Sequence, residues 1–221
     1  MGKIDLCQVN VCGLSERSRI CLENYLYENK ADIACLSEVK NETTLEIKNF
    51  HHFFKASDCN PAQKGGVSIL VSKIYSGDRQ TFLEKPSIDA IFVVVNLKGK
   101  RYLLCSVYIP PQSPGQLKQF LQLVVSAKLE TTNLKCECLL IMGDFNARHP
   151  NWGDTKENSH GKILNEFIGD TEFDLWSKYD GNSFQCSGGG SRIDLVMTNL
   201  NATYEQKLDN ETELFTGAPL R

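Results

Sequence analysis

The sequence predicts a single mixed α/β domain, and three observations carry that expectation. Its 221 residues suit one large domain or at most two small ones. A hydrophobic content of 41% beside 23% charged residues is that of a globular chain able to bury a sizeable core. Apolar runs of strand length alternate with segments of helical period, and no repeat, low-complexity tract or linker divides them.

The elements follow in order. Ile4 to Val11 alternates polar and apolar residues before Gly13, as a strand does. Ser15 is placed to cap a helix reaching about Asn29, with Ile20, Leu22, Tyr25 and Leu26 as its apolar face. Residues 32–37 form a second strand and close a strand-helix-strand unit. Pro61 and Gly65-Gly66 punctuate the chain before a strand from Val67 to Val71. Ile91 to Leu97 and Tyr102 to Ile109 read as a hairpin turning at Lys98-Gly99-Lys100 and ended by Pro110-Pro111. Gly115 to about Leu129 is helical by the spacing of Leu117, Phe120, Leu121, Val124 and Val125. Cys138 to Met142 is a short apolar strand whose end carries Gly143-Asp144. A helix over Gly161 to Ile168, a flexible turn at Gly188-Gly189-Gly190 and a strand from Arg192 to Thr198 complete the reading.

Composition excludes some functions. With 24 Lys+Arg against 27 Asp+Glu, the net charge of −3 argues against a bulk basic nucleic-acid binder, yet leaves room for a local patch or a phosphate-neutralising metal. No apolar run approaches the roughly 18 residues of a membrane span, and Asp5 precedes any signal-like stretch, so no membrane role is expected. The nine cysteines are odd in number and lie mostly in apolar segments, which points to a reducing, intracellular compartment. Cys136-Glu137-Cys138 falls one residue short of zinc-type spacing. The sequons at Asn41, Asn201 and Asn210 carry no weight beside so many thiols.

Polar residues recur at or just beyond strand ends: Asn10, Glu38, Tyr108, Asp144 with Asn146, and Asp194. A sheet can present side chains there to a shared cleft while its apolar residues stay buried. Taken singly, each reads better as a turn former or a solvated strand end, and Tyr108 also fits a packed hairpin aromatic. The set and its order raise the functional reading.

Five ordered motifs carry a family resemblance: Val9-Asn10-Val11-Cys12-Gly13-Leu14, Leu36-Ser37-Glu38, Val107-Tyr108-Ile109-Pro110-Pro111, Gly143-Asp144-Phe145-Asn146-Ala147 and Ser191-Arg192-Ile193-Asp194-Leu195. Together they resemble the endonuclease/exonuclease/phosphatase superfamily over nearly the whole chain, the Gly-Asp-Phe-Asn-Ala run being the most specific. Its extension Arg148-His149-Pro150-Asn151-Trp152-Gly153, with Gly161-Lys162-Ile163-Leu164, resembles the endonuclease domain of LINE-type (non-LTR) retrotransposons. The resemblance implies a DNase I-like four-layer α/β sandwich, two mixed sheets face to face with helices outside and the cleft at one end. It also implies Mg²⁺, with Mn²⁺ as an alternative, DNA as substrate, a parent polyprotein with a reverse transcriptase domain, and action in the nucleus through target-primed reverse transcription.

Residue types agree with that chemistry. Phosphodiester hydrolysis requires an activated water, a cation on the phosphate oxygens and help for the leaving oxygen. Mg²⁺ keeps several waters, so one or two carboxylates suffice. By the resemblance, Glu38 is the principal ligand and Asn10 stands beside it as ligand or hydrogen-bond support. Asp144 would align or deprotonate the attacking water, Asn146 and Tyr108 would hydrogen-bond the phosphate, and Asp194 would orient a catalytic histidine. Arg148 and Arg192 are phosphate-contact candidates because they flank these motifs, and Trp152 is either a base-stacking wedge or a buried loop aromatic.

Two departures from the family pattern stand out. Cys12 replaces an acidic or amide residue and is a soft partner for Mg²⁺. The family's closing Ser-Asp-His motif is absent from the 221 residues, which implies a domain ending short of that motif and of its last core strand. The alternatives are therefore a catalytically silent remnant acting by binding, or a small-substrate phosphatase of the same fold. Of the histidines, His51 and His52 read as surface or packing residues, His160 as a solvated turn residue, and His149 as the one nearest the Asp144 motif.

Overall fold

The computed structural model describes residues 4–40, 46–58, 65–176, 184–186 and 189–200. The three sequons, Pro61 and Gly188 lie outside that set.

One sheet is built from β1 (Leu6–Asn10), β2 (Ile33–Ser37), β3 (Phe50–Lys55) and β4 (Val67–Ser72) in the order β1-β2-β4-β3. Helix α1 (Glu16–Glu28) joins β1 to β2 and leaves that pair parallel, as a crossover must. Ser15 caps it, its Oγ accepting the Ser18 amide while the Ser18 Oγ accepts the Ser15 amide. The second sheet holds β5 (Ser76–Arg79), β6 (Asp89–Leu97), β7 (Lys100–Tyr108), β8 (Leu139–Asp144), β9 (Asp174–Leu175) and β12 (Asp194–Thr198) in the order β5-β6-β7-β8-β12-β9. Helix α2 (Pro114–Asn133) connects the parallel pair β7 and β8, and α3 (Ser159–Asp170) precedes β9. Strands β10 (Phe184–Cys186) and β11 (Gly189–Ser191) pair separately.

The core falls into three apolar layers. One is shared by the two sheets, with Ile33, Cys35 and Ile69 facing Ile91, Val93, Leu104 and Met142. A second lies between the six-stranded sheet and α2 and α3, and a third between the four-stranded sheet and α1. Strands covered on both faces need apolar residues on both, which is why β6 and β7 read as continuous hydrophobic runs. The result is the expected four-layer sandwich. No helix among the described residues is long and apolar enough to cross a membrane.

Several local expectations need correction. Phe50–Lys55 and Ser76–Arg79, which carry no alternating apolar pattern, form the edge strands β3 and β5. Strand β8 continues through Gly143 and Asp144, so the site residue is paired inside the sheet. Gly189 and Gly190, expected in a turn, pair with Gln185 and Cys186 in the β10–β11 ladder.

Candidate active site

Register brings the polar strand ends into one row. Asp89 pairs with Tyr108, Tyr108 with Asp144, and Asp144 with Asp194 across four neighbouring strands of the six-stranded sheet. Each of these residues follows or precedes an apolar neighbour packed toward the helices (Ala90, Val107, Phe145, Leu195), so the row itself turns toward the facing sheet. On that sheet Asn10 pairs with Ser37, which is followed by Glu38. The site is therefore assembled where matching ends of the two sheets meet.

Asn10 joins them. Its Nδ2 donates to Glu38 Oε1 at 3.1 Å and to Asp144 Oδ2 at 3.2 Å, while its Oδ1 accepts the Cys12 amide at 3.1 Å. The amide orientation is fixed by that backbone donor, and the carboxylates receive hydrogens from Asn10 and no ligand oxygen. Asn10 thereby ties Glu38 to Asp144 across the two sheets.

Glu38 sits just past β2 with φ 55°, a left-handed conformation uncommon outside glycine. Its carbonyl accepts the Gly13 amide at 2.7 Å, and the Lys40 ammonium lies 3.8 Å from its Oε2. Lys40 Nζ also donates to the Cys12 carbonyl at 2.9 Å and approaches Cys12 Sγ at 3.5 Å.

Asp144 is 2% exposed. Burial, the charge of Asp194 and that of Glu38 hold its carboxyl well above the usual range, against the lowering effect of hydrogen bonds from Asn146 and Asn10. Gly143 before it is obligatory, since a Cβ there would lie 1.9 Å from the Val107 carbonyl oxygen of the neighbouring strand. Tyr108 is buried, and burial together with Glu38, Asp144 and Asp89 pushes its phenol up, so the hydroxyl stays protonated and able to donate.

Asn146 takes φ 47°, tolerable for asparagine, and is held at three points. Its amide N–H bonds Asp144 Oδ1 at 2.9 Å, its Nδ2 donates to the Ile109 carbonyl at 3.0 Å, and its carbonyl accepts Asn158 Nδ2 at 2.8 Å. One Nδ2 hydrogen is left for a ligand. Asp194 accepts Gln8 Nε2 at 2.9 Å, a partner from β1 that the sequence reading took no account of.

The remaining expectations divide. Arg148 is half-exposed beside the loop, with its backbone clamped by Asn158 at 3.0 Å. Arg192 donates Nη1 to the Trp152 carbonyl at 3.0 Å, which ties that guanidinium to the loop. Trp152 is 3% exposed and its indole donates to the Ala147 carbonyl at 3.3 Å, so the wedge reading is corrected to the buried one. The basic residues Lys98, Lys100 and Arg101 lie around the other end of β7 from Tyr108, about 26 Å away at the usual strand rise.

The histidines also sort out. His149 caps the short turn after it, accepting the Asn151 amide at 3.1 Å, with Nε2 3.0 Å from Glu157 and its ring 5.0 Å from that of Trp152. His52 bonds Ser68 Oγ at 2.9 Å. His160, expected in solvent, is 1% exposed inside α3: Nε2 accepts the Ser113 amide at 3.0 Å, so Nδ1 carries the hydrogen and donates to the Phe145 carbonyl at 3.0 Å. Gly161 next to it lets the helix close onto the loop, since a Cβ there would lie 1.8 Å from the Arg148 oxygen.

Among the described residues no three His, Cys, Asp or Glu side chains form a ready metal cage. The donor set still fits a hard ion that retains its waters: oxygen donors only, two of them carboxylates, with one carboxyl destabilised as an anion by its neighbours.

No curated protein matches the sequence significantly. Residues 102–216 match a protein family described as endonuclease-reverse transcriptase. Among solved structures, the chain is similar to the endonuclease domain of TRAS1, a telomere-specific non-LTR retrotransposon, at 17% identity and TM-score 0.71, over 88% of this chain and 84% of that one. It is similar to the Xenopus laevis APE2 catalytic domain at 18% identity and TM-score 0.63, over 88% of this chain and 82% of that one. The likeness to an AP endonuclease from Archaeoglobus fulgidus is 17% identity with TM-score 0.62, over 89% and 87% of the two chains. At such identities the likeness is one of fold.

Proposed function

The chain belongs to the endonuclease/exonuclease/phosphatase superfamily, in its endonuclease-reverse transcriptase family, and from that membership we propose that it nicks DNA by hydrolysing a phosphodiester. The setting is a retrotransposon polyprotein in the nucleus, where the exposed 3′ hydroxyl primes the reverse transcriptase domain. The observation that carries this reading is the meeting of Glu38, Asn10 and Asp144 across the two sheets.

Glu38 is the residue to hold Mg²⁺, or Mn²⁺ in its place, with Asn10 fixing the carboxylate. Bound there, the ion would offset charge on the phosphate oxygens and on the leaving oxygen. Asp144, with its raised pKa, aligns the attacking water and takes its proton. Asn146 presents its remaining amide hydrogen to the phosphate, and Tyr108 donates its hydroxyl where negative charge grows. Asp194, held by Gln8, keeps the Asp144 carboxyl basic through its charge. Arg148 is the phosphate contact at the rim.

The test is conversion of supercoiled plasmid to open circles by the purified protein. Mg²⁺ or Mn²⁺ should support nicking, chelator should stop it, and Glu38→Ala should reduce it by about three orders of magnitude or more. Wild-type protein that binds the plasmid and leaves it closed with either ion would overturn the proposal.

A further inference from the structure

We infer, building on the phosphodiesterase reading, that Asp89 is a positioning residue of this site: through the Gly65-Gly66 turn it fixes the backbone of residues 38–40 and with it the place of Glu38. Asp89 opens β6 at the inner row, 5% exposed and paired in register with Tyr108. A carboxylate so deep is costly unless its oxygens find donors. Its Oδ2 accepts the Gly66 amide at 3.2 Å, while Oδ1 is buried with no hydrogen-bond partner among the described residues. The nearby ammonium, Lys55 Nζ, donates to the carbonyls of Lys85 and Ile88 and acts on Asp89 through its charge.

The turn that Asp89 holds is the one on which Glu38 hangs. The Gly66 carbonyl accepts the Val39 amide at 3.1 Å, and the Gly65 carbonyl accepts the Lys40 amide at 2.9 Å. Glu38 and Lys40 both lie in the left-handed region, at φ 55° and 59°, a conformation that persists only when its surroundings over-determine it. Asp89 thus reaches the proposed ligand through the Gly66 amide and then through two parallel bonds, from Val39 and Lys40 to the turn carbonyls. The packing is close, since a Cβ on Gly65 would lie 2.7 Å from Asp89 Oδ2.

The test compares Asp89→Ala, which removes the acceptor, with Asp89→Asn, whose side-chain oxygen can still accept the Gly66 amide. Asp89→Ala should weaken Mn²⁺ binding, measured by calorimetry, by about tenfold, as loss of an outer partner of a ligand does. It should also speed hydrogen exchange of the Val39 and Lys40 amides by about tenfold while leaving Val93 at its wild-type rate. Asp89→Asn should restore both. Wild-type exchange and Mn²⁺ affinity in Asp89→Ala, or equal defects in the two variants, would overturn the inference. Should Asp89→Ala not fold, Gly65→Ala takes its place: the added methyl would press on both Ser57 and the Asp89 carboxylate, and unchanged exchange at Val39 and Lys40 would count against the relay. Neither readout needs cleavage. A protein with these responses that leaves plasmid closed loses the phosphodiesterase reading and keeps this one.

Discussion

Asp144 concentrates the conflict between stability and chemistry in this site. Its folded pKa is raised, so the folded chain holds that proton more tightly than the unfolded one. Its contribution to stability is fully present below the unfolded value of about 3.9 and is lost as pH rises through the raised folded value. Asp144→Asn is neutral throughout and escapes that loss. In chelator it should melt above wild type at about pH 8, converge with it near about pH 4, and nick about 10²–10⁴-fold more slowly. A lower melting temperature at the higher pH would contradict the sign. Tyr108→Phe keeps the buried ring and removes the donor, so plasmid nicking should slow by about 10²-fold with thermal unfolding unchanged.

At the scale of elements, α3 and the loop before it hold Asn146 in place. Asn158 caps α3 through Gly161 N at 2.8 Å and grips the loop at Asn146 and Arg148. Asn158→Ala should cost about 1 kcal/mol as a lost cap and lower nicking further by freeing Asn146, a pair of effects that denaturant titration and plasmid assay separate. His160→Ala strands the buried Phe145 carbonyl, about 1–3 kcal/mol, and leaves the half-buried Ser113 amide to solvent, and should show as a lowered denaturation midpoint. Strands and helices with regular apolar periods were legible in the sequence, from α1 with its serine cap to the β6–β7 hairpin. Phe50–Lys55 and Ser76–Arg79 were not, because the first has aromatics on both faces and the second has no apolar residue to mark a period. Asn10, Glu38 and Asp144 were legible only as members of ordered motifs. Gln8, Asn158 and His160 were not, because their partners Asp194, Asn146 and Ser113 come from other segments and no local pattern announces them.

For the whole molecule, the site is an outcome of two registers at once. Alternation fixes which face each strand turns inward, and the inter-sheet core fixes how the two sheets meet. Ser106 Oγ bonded to the Leu36 carbonyl at 3.1 Å adds a polar tie between them. Divalent ions that bind only the folded form should raise its melting temperature, by the equivalent of about 2.7 kcal/mol at a hundredfold excess over Kd, and Glu38→Gln should abolish that shift. The Asn10 amide, reaching both carboxylates at 3.1 and 3.2 Å, has a mechanical consequence. Sliding one sheet past the other by a single residue, about 3.3 Å, would pull it off one of them. Glu38 and Asp144 are therefore a gauge of sheet alignment: any strain that shears the sandwich takes the proposed site apart before it melts the core.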